Sequence, residues 1–179
     1  IASYYGCSSQ VVYPGIKKTS YSSLGEKPKS VRFSKYILIL GRISIDKNFG
    51  IITKLLATYP ELRFIVAGAR TVTSKHVESS LVGSSEHINF IYNISFDEKV
   101  WLLKNCAFGC FLSENEPFGV VPLEFLAVGK NVTVFDTCGV AKVDSIRSEV
   151  VTVSSLSDLK VEVKRMWLSG NTNANLPPE

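Results

Sequence analysis

Tyr36-Ile37-Leu38-Ile39-Leu40-Gly41-Arg42 decides how the rest of this chain is read. Its first five residues are all apolar, where a half-exposed strand would alternate, and a glycine and a cation follow at once. A strand covered on both faces has this pattern, and such strands belong to parallel sheets flanked by helices. Downstream, residues 47–58 carry Phe49, Ile52, Leu55 and Leu56 at helical spacing, and Pro60 ends the stretch. Phe64-Ile65-Val66-Ala67-Gly68 then repeats the strand-plus-glycine pattern.

The alternation continues. Residues 71–86 are polar, with a weak helical pattern at best. A third strand is expected at Ile88-Asn89-Phe90-Ile91, and Asp97 reads as the N-cap of a helix carrying Val100, Leu103 and Cys106. Residues 108–112 give a fourth strand, 120–128 a helix closed by Gly129, 132–135 a fifth strand, 150–153 a sixth and 156–168 a last helix. Strand and helix in regular succession predict an α/β fold: a Rossmann-like open parallel sheet with helices on both faces. Residues 1–34 read as the end of a preceding domain plus a linker, 35–168 as the folded domain and 169–179 as a frayed tail.

Composition narrows the function. With 179 residues, 45% of them hydrophobic, the chain suits one domain with a real core. The net charge of +4 is spread along the chain, with only pairs such as Lys17-Lys18 and Lys164-Arg165 grouped, so no nucleic-acid stripe is read. A mild positive bias does favour the approach of an anionic ligand. Cys7, Cys106, Cys110 and Cys138 lack zinc-type spacing, and only His76 and His87 accompany them. Cys106 and Cys110 sit in an apolar stretch and read as buried free thiols, which points to a reducing, cytoplasmic location. No Gly-x-Gly-x-x-Gly, Walker-type loop or acidic metal cluster is seen, so no cofactor and no metal are expected.

In an open α/β sheet, ligands bind beyond the carboxyl ends of the strands. Arg42 follows the first strand directly, and Lys47 stands near the expected start of the next helix with Asp46 as a candidate N-cap. A lysine there opposes the helix dipole, at a cost of roughly 0.3 to 1 kcal/mol, as expected of a pair of cations facing a polyanion. Equally, both are ordinary surface cations. The second candidate is Glu116-Pro117-Phe118-Gly119-Val120-Val121-Pro122-Leu123-Glu124, after the fourth strand. Pro122 is tolerated only in a first turn, which sets the helix start near Val120. Glu116 and Glu124 then flank exposed helix amides that Gly119 leaves open to an anion. Tyr92-Asn93-Ile94-Ser95 is a third and weaker candidate, for contacts to a base.

These residues resemble the large retaining glycosyltransferase family of the GT-B group, family 4, which includes sucrose synthases and bacterial mannosyltransferases. The resemblance covers residues 11–168. It is strongest in Glu116 to Gly129, which is similar to the family's Glu-x7-Glu signature, and extends to Leu40-Gly41-Arg42 through Lys47 and to Phe64 through Gly68. It implies one half of a GT-B fold, the donor-binding C-terminal domain, with Val12-Tyr13-Pro14-Gly15 similar to the end of the acceptor-binding N-terminal domain. By resemblance, Glu116 contacts the donor sugar and Glu124 the ribose. Arg42 and Lys47 hold the diphosphate, the amides of Phe118, Gly119, Val120 and Val121 add hydrogen bonds, and Ile94 lies near the base. The implied activity is transfer of a hexose from a nucleotide diphosphate sugar with retention of configuration and without an essential metal. The acceptor is held by a further domain, without which this stretch is inactive, and peripheral membrane association suits a lipid acceptor. The chain departs from the family pattern in two loops: Cys138-Gly139, followed by Lys142, stands where a Gly-Gly pair followed by Glu is usual, and Asn93 replaces a frequent glycine. A non-catalytic nucleotide-sugar-binding module and an epimerase or phosphorylase of the same architecture are the alternative readings.

Overall fold

The computed structural model describes residues 4, 6, 8 and 10–169. Cys7 and the tail 170–179 lie outside the described residues. Six strands, β1 (Ile37–Leu40), β2 (Phe64–Gly68), β3 (Ile88–Tyr92), β4 (Phe108–Phe111), β5 (Val132–Phe135) and β6 (Val151–Val153), form one parallel sheet. Their order is β3-β2-β1-β4-β5-β6. This is the doubly wound Rossmann-like order, and it reverses direction between β1 and β4. Right-handed crossovers on either side of that reversal place the helices on both faces.

Strands β1, β2 and β4 are apolar because almost nothing in them meets water. Ile37, Leu38, Phe64, Ile65 and Phe108 are essentially inaccessible. Among residues 10–169 the α-helices are α1 (Gly50–Leu56), α2 (Ser74–Ser80), α3 (Phe96–Asn105), α4 (Val121–Ala127), α5 (Asp144–Arg147) and α6 (Leu156–Ser169). Gly109 in β4 makes room for α4: a Cβ there would lie 2.5 Å from the ring of the fully buried Phe125.

Several element ends differ from the sequence expectation. Asp46 is not the N-cap of a helix running from residue 47. Ile45–Lys47 is a separate 3₁₀ turn, and Asn48 at φ 54 breaks the chain before α1 begins at Gly50. Asp97 is not the N-cap of α3. Ser95 is, in a capping box: its hydroxyl accepts from the Glu98 amide at 3.1 Å and the Glu98 carboxylate accepts from the Ser95 amide at 2.8 Å. Residues 71–86 hold a real helix, α2, and residues 139–147 a 3₁₀ turn followed by α5.

Cys106, Cys110 and Cys138 are buried. Burial pushes the Cys106 and Cys110 thiols up to about 12 and raises Cys138 as well. The thiolate is the reactive form, and a raised pKa keeps these groups protonated near neutrality. All three are therefore expected to resist iodoacetamide at pH 8 in the folded chain and to react once guanidinium unfolds it. Mass spectrometry of the peptides checks this, and labelling of Cys110 in the native state would contradict it.

Candidate functional site

The reversal between β1 and β4 opens a cleft at the carboxyl ends of the strands, where this architecture binds ligands. Gly41 and Arg42 enter it from β1, and Leu112, Ser113 and Glu116 from β4, around about 280 Å³ of space. Lys47, Gly119, Val120 and Val121 line it too. A second cleft of about 550 Å³ lies alongside, lined by Gly68, Ala69, Asn93, Ile94, Lys99 and Glu124. Leu40, Gly41 and Val121 belong to both, so the two compartments meet at the tip of α4. Eight of the nine residues singled out from the sequence line one cleft or the other. The exception is Phe118, whose ring stacks on Tyr13 at 5.7 Å and whose carbonyl accepts from the Val140 amide at 2.7 Å.

Among the described residues, no side chain caps the tip of α4. First-turn amides have no intrahelical partner, so at Val120 and Val121 they are available to a ligand, and the partial positive charge there favours an anion. Two cations stand nearby. Arg42 is exposed at the rim and lies 3.8 Å from Asp46. Lys47 is mostly buried, and its Nζ donates to Glu116 Oε2 at 2.7 Å. The sequence suggested Lys47 as a partner of Arg42, but the 3₁₀ turn carries it across to Glu116. An ammonium has three donors, so two remain for another acceptor.

Glu124 is on the same side of the sheet edge, in the second compartment. Lys99 Nζ reaches its Oε1 at 2.6 Å, and the Tyr21 hydroxyl donates to the same oxygen at 2.8 Å. Burial first, and then the Glu124 carboxylate, raise the Tyr21 hydroxyl well above its ordinary pKa, so it remains a donor across the pH range of interest. Neither Tyr21 nor Lys99 was recognised from the sequence. Tyr21 is 103 positions from Glu124 and Lys99 is 25, and no local pattern links them.

The departures noted in the sequence acquire physical reasons. Asn93 sits at φ 52, in the left-handed region that glycine occupies freely and asparagine tolerates. Its side-chain Oδ1 accepts from the Arg70 amide at 3.1 Å, which ties the β2 and β3 loops together. The loop after β5 backs the Glu116 loop: the Gly139 amide donates to the Glu116 carbonyl at 3.0 Å, and Cys138 Sγ to the Ser113 carbonyl at 2.9 Å. Lys142 is exposed.

A six-stranded parallel sheet of this order, with its cleft at the switch point, is a Rossmann-like domain of the kind found in GT-B glycosyltransferases. It is similar to WaaG, a glycosyltransferase involved in lipopolysaccharide biosynthesis, with a TM-score of 0.69 and 18% identity over 93% of this chain and 50% of that one. It is also similar to Anabaena Alr3699/HepE, solved in complex with UDP and glucose, with a TM-score of 0.69 and 18% identity over 87% of this chain and 46% of that one. Residues 25–152 match the family described as glycosyl transferases group 1, and the chain belongs to that family. A curated relative is the GDP-Man:Man(3)GlcNAc(2)-PP-Dol alpha-1,2-mannosyltransferase of Candida albicans (strain SC5314 / ATCC MYA-2876). It is 31% identical over 114 residues, which are 59% of this chain and 18% of the relative. The chain thus spans under a fifth of that relative and about half of the two structural neighbours. Among the described residues, no helix is long and apolar enough to cross a membrane.

Proposed function

We propose that this chain is the donor-binding half of a retaining glycosyltransferase of the family 4 type, which transfers a hexose, with mannose favoured, from a nucleotide diphosphate sugar. One observation carries the reading. Two joined clefts meet at an uncapped helix tip, with Glu116 in one, Glu124 in the other and two cations beside the first. That layout matches the order of parts in such a donor: base and ribose in the larger compartment, diphosphate at the tip, sugar toward Glu116. The mannosyltransferase relative, whose name specifies GDP-Man, and a neighbour bound to UDP and glucose support the ligand class.

Bond breaking at the anomeric carbon leaves charge on the departing diphosphate. Arg42, Lys47 and the Val120 and Val121 amides would stabilise that charge as a fixed oxyanion site does, so the reading requires no metal ion. Glu116 would accept hydrogen bonds from sugar hydroxyls and orient the ring. Gly119, which bears no side chain, lets the sugar approach, and the amide of Phe118 would add a hydrogen bond to the donor. Ile94 offers an apolar contact to the base and Glu124 an acceptor to the ribose. The acceptor would be held by a further domain, in the cytoplasm or at a membrane surface, and the present chain by itself would transfer nothing.

Isothermal titration with UDP, GDP and ADP tests the site. Binding between millimolar and micromolar is expected, roughly −4 to −8 kcal/mol. Glu124→Ala is expected to weaken it, and Arg42→Ala to weaken it more, because a guanidinium to diphosphate contact is charge-assisted. Unchanged affinity in both variants would remove the site assignment.

A further inference from the structure

Glu124 is oriented by a segment outside the signature that contains it. Lys18–Tyr21 forms a 3₁₀ turn that buries Tyr21, with its ring 5.3 Å from that of Phe96. The Tyr21 hydroxyl and Lys99 Nζ both take Oε1 of Glu124. Among the described residues, Oε2 accepts no hydrogen bond, and the side chain lines the second cleft. A buried carboxylate is tolerated when it is paired and hydrogen-bonded. Here both compensations fall on one oxygen, which fixes the rotamer and leaves the other oxygen unmatched.

The segment that delivers Tyr21 is clamped onto α3. Lys104 Nζ donates to the Ser22 and Ser23 carbonyls at 3.2 and 2.5 Å, and the Glu26 amide to the Asp97 carbonyl at 3.1 Å. Gly25, at φ 73, lies so close that a Cβ would be 2.4 Å from the Trp101 amide nitrogen. Helix α3 also carries Lys99. One helix therefore supplies a donor to Glu124 and the anchor for the segment that supplies the other.

We propose that Tyr21 is a positioning residue: from the 18–26 segment it holds Glu124 Oε1 so that Oε2 faces the vicinal hydroxyls of a ribonucleotide in the second cleft. The inference rests on the nucleotide-sugar reading above and adds the residue that orients its ribose contact. It makes affinity for the ribose depend on how the segment preceding the sheet is seated.

The test compares two ligands on the full chain: the tightest binder among UDP, GDP and ADP, and the 2′,3′-dideoxy form of the same diphosphate. Tyr21→Phe keeps the ring and removes the hydroxyl. It is expected to weaken the ribonucleotide about fivefold to tenfold, in the range of one lost hydrogen bond, and to leave the dideoxy form within twofold of wild type. Lys104→Met, at a half-buried position away from the cleft, is expected to show the same selective loss at smaller size, and it serves as the second variant should Tyr21→Phe fail to fold. Equal weakening of both ligands, or none, overturns the positioning role while leaving the nucleotide site in place. Wild-type chain that binds none of the three diphosphates overturns the nucleotide site itself, and with it this inference.

Discussion

Lys47→Met is expected to lower affinity for a nucleoside diphosphate by about a hundredfold or more. The ammonium sits 2.7 Å from Glu116 and 3.8 Å from Asp46 in a mostly buried position. Removing it deletes an attraction and exposes a repulsion, because Glu116 then faces the same cleft as an incoming anion without its counter-charge. Truncating one member of a hydrogen-bonded charge pair at an interface costs about 2 to 5 kcal/mol. At 1.4 kcal/mol per factor of ten, a hundredfold loss corresponds to about 3 kcal/mol. Lys47→Arg keeps the charge and should stay within about tenfold of wild type. The exposed Arg42 is partly screened by solvent, so its effect should fade faster as salt is raised. Titration of the variants at low and physiological salt reads all of this. A Lys47→Met chain that binds within threefold of wild type would show that the diphosphate lies elsewhere.

Gly139→Ala is expected to damage both stability and binding although Gly139 itself is not a proposed ligand contact. A Cβ at this position would lie 2.0 Å from the Pro117 carbonyl oxygen and 2.8 Å from the Phe118 Cα. Neither neighbour is a flexible side-chain tip, so two backbone segments must part. The separation breaks the hydrogen bonds from the Gly139 amide to Glu116 and from the Val140 amide to Phe118. Overpacking of this kind costs about 3 kcal/mol at the upper end of its usual range, and for a chain of this size that lowers Tm by roughly 6 to 12 °C. The Glu116 loop moves with its support, so diphosphate affinity should drop at least about tenfold even at temperatures where the variant is folded. A stable Gly139→Ala chain with wild-type affinity would show that the loop after β5 is not the buttress described here.

The site and the fold were legible in the sequence to different depths. The strands stood out because burial on both faces leaves an uninterrupted apolar run, as in Tyr36 to Leu40. The tip of α4 was placed to within a residue because Pro122 is compatible only with a first turn. Other boundaries slipped where two local signals competed. Ser95 and Asp97 are both good N-cap residues, and the Glu98 that completes the capping box belongs to the serine. Asp46 resembled a helix start, yet Asn48 adopts a left-handed conformation that ends the 3₁₀ turn and delays α1.

From its sequence alone, this protein was committed to a parallel Rossmann-like sheet and to a strand-loop-helix unit with Glu116 and Glu124 at either side of a helix tip. Those features follow from periodicity, glycine and proline, whose effects reach only a few residues along the chain. Packing alone decided that Lys47 crosses to Glu116, that Gly139 props the loop behind it and that Tyr21 closes on Glu124 across 103 positions. Contacts between distant residues are set by how layers stack and by which groups must satisfy one another once water is excluded, and a linear pattern carries no record of either.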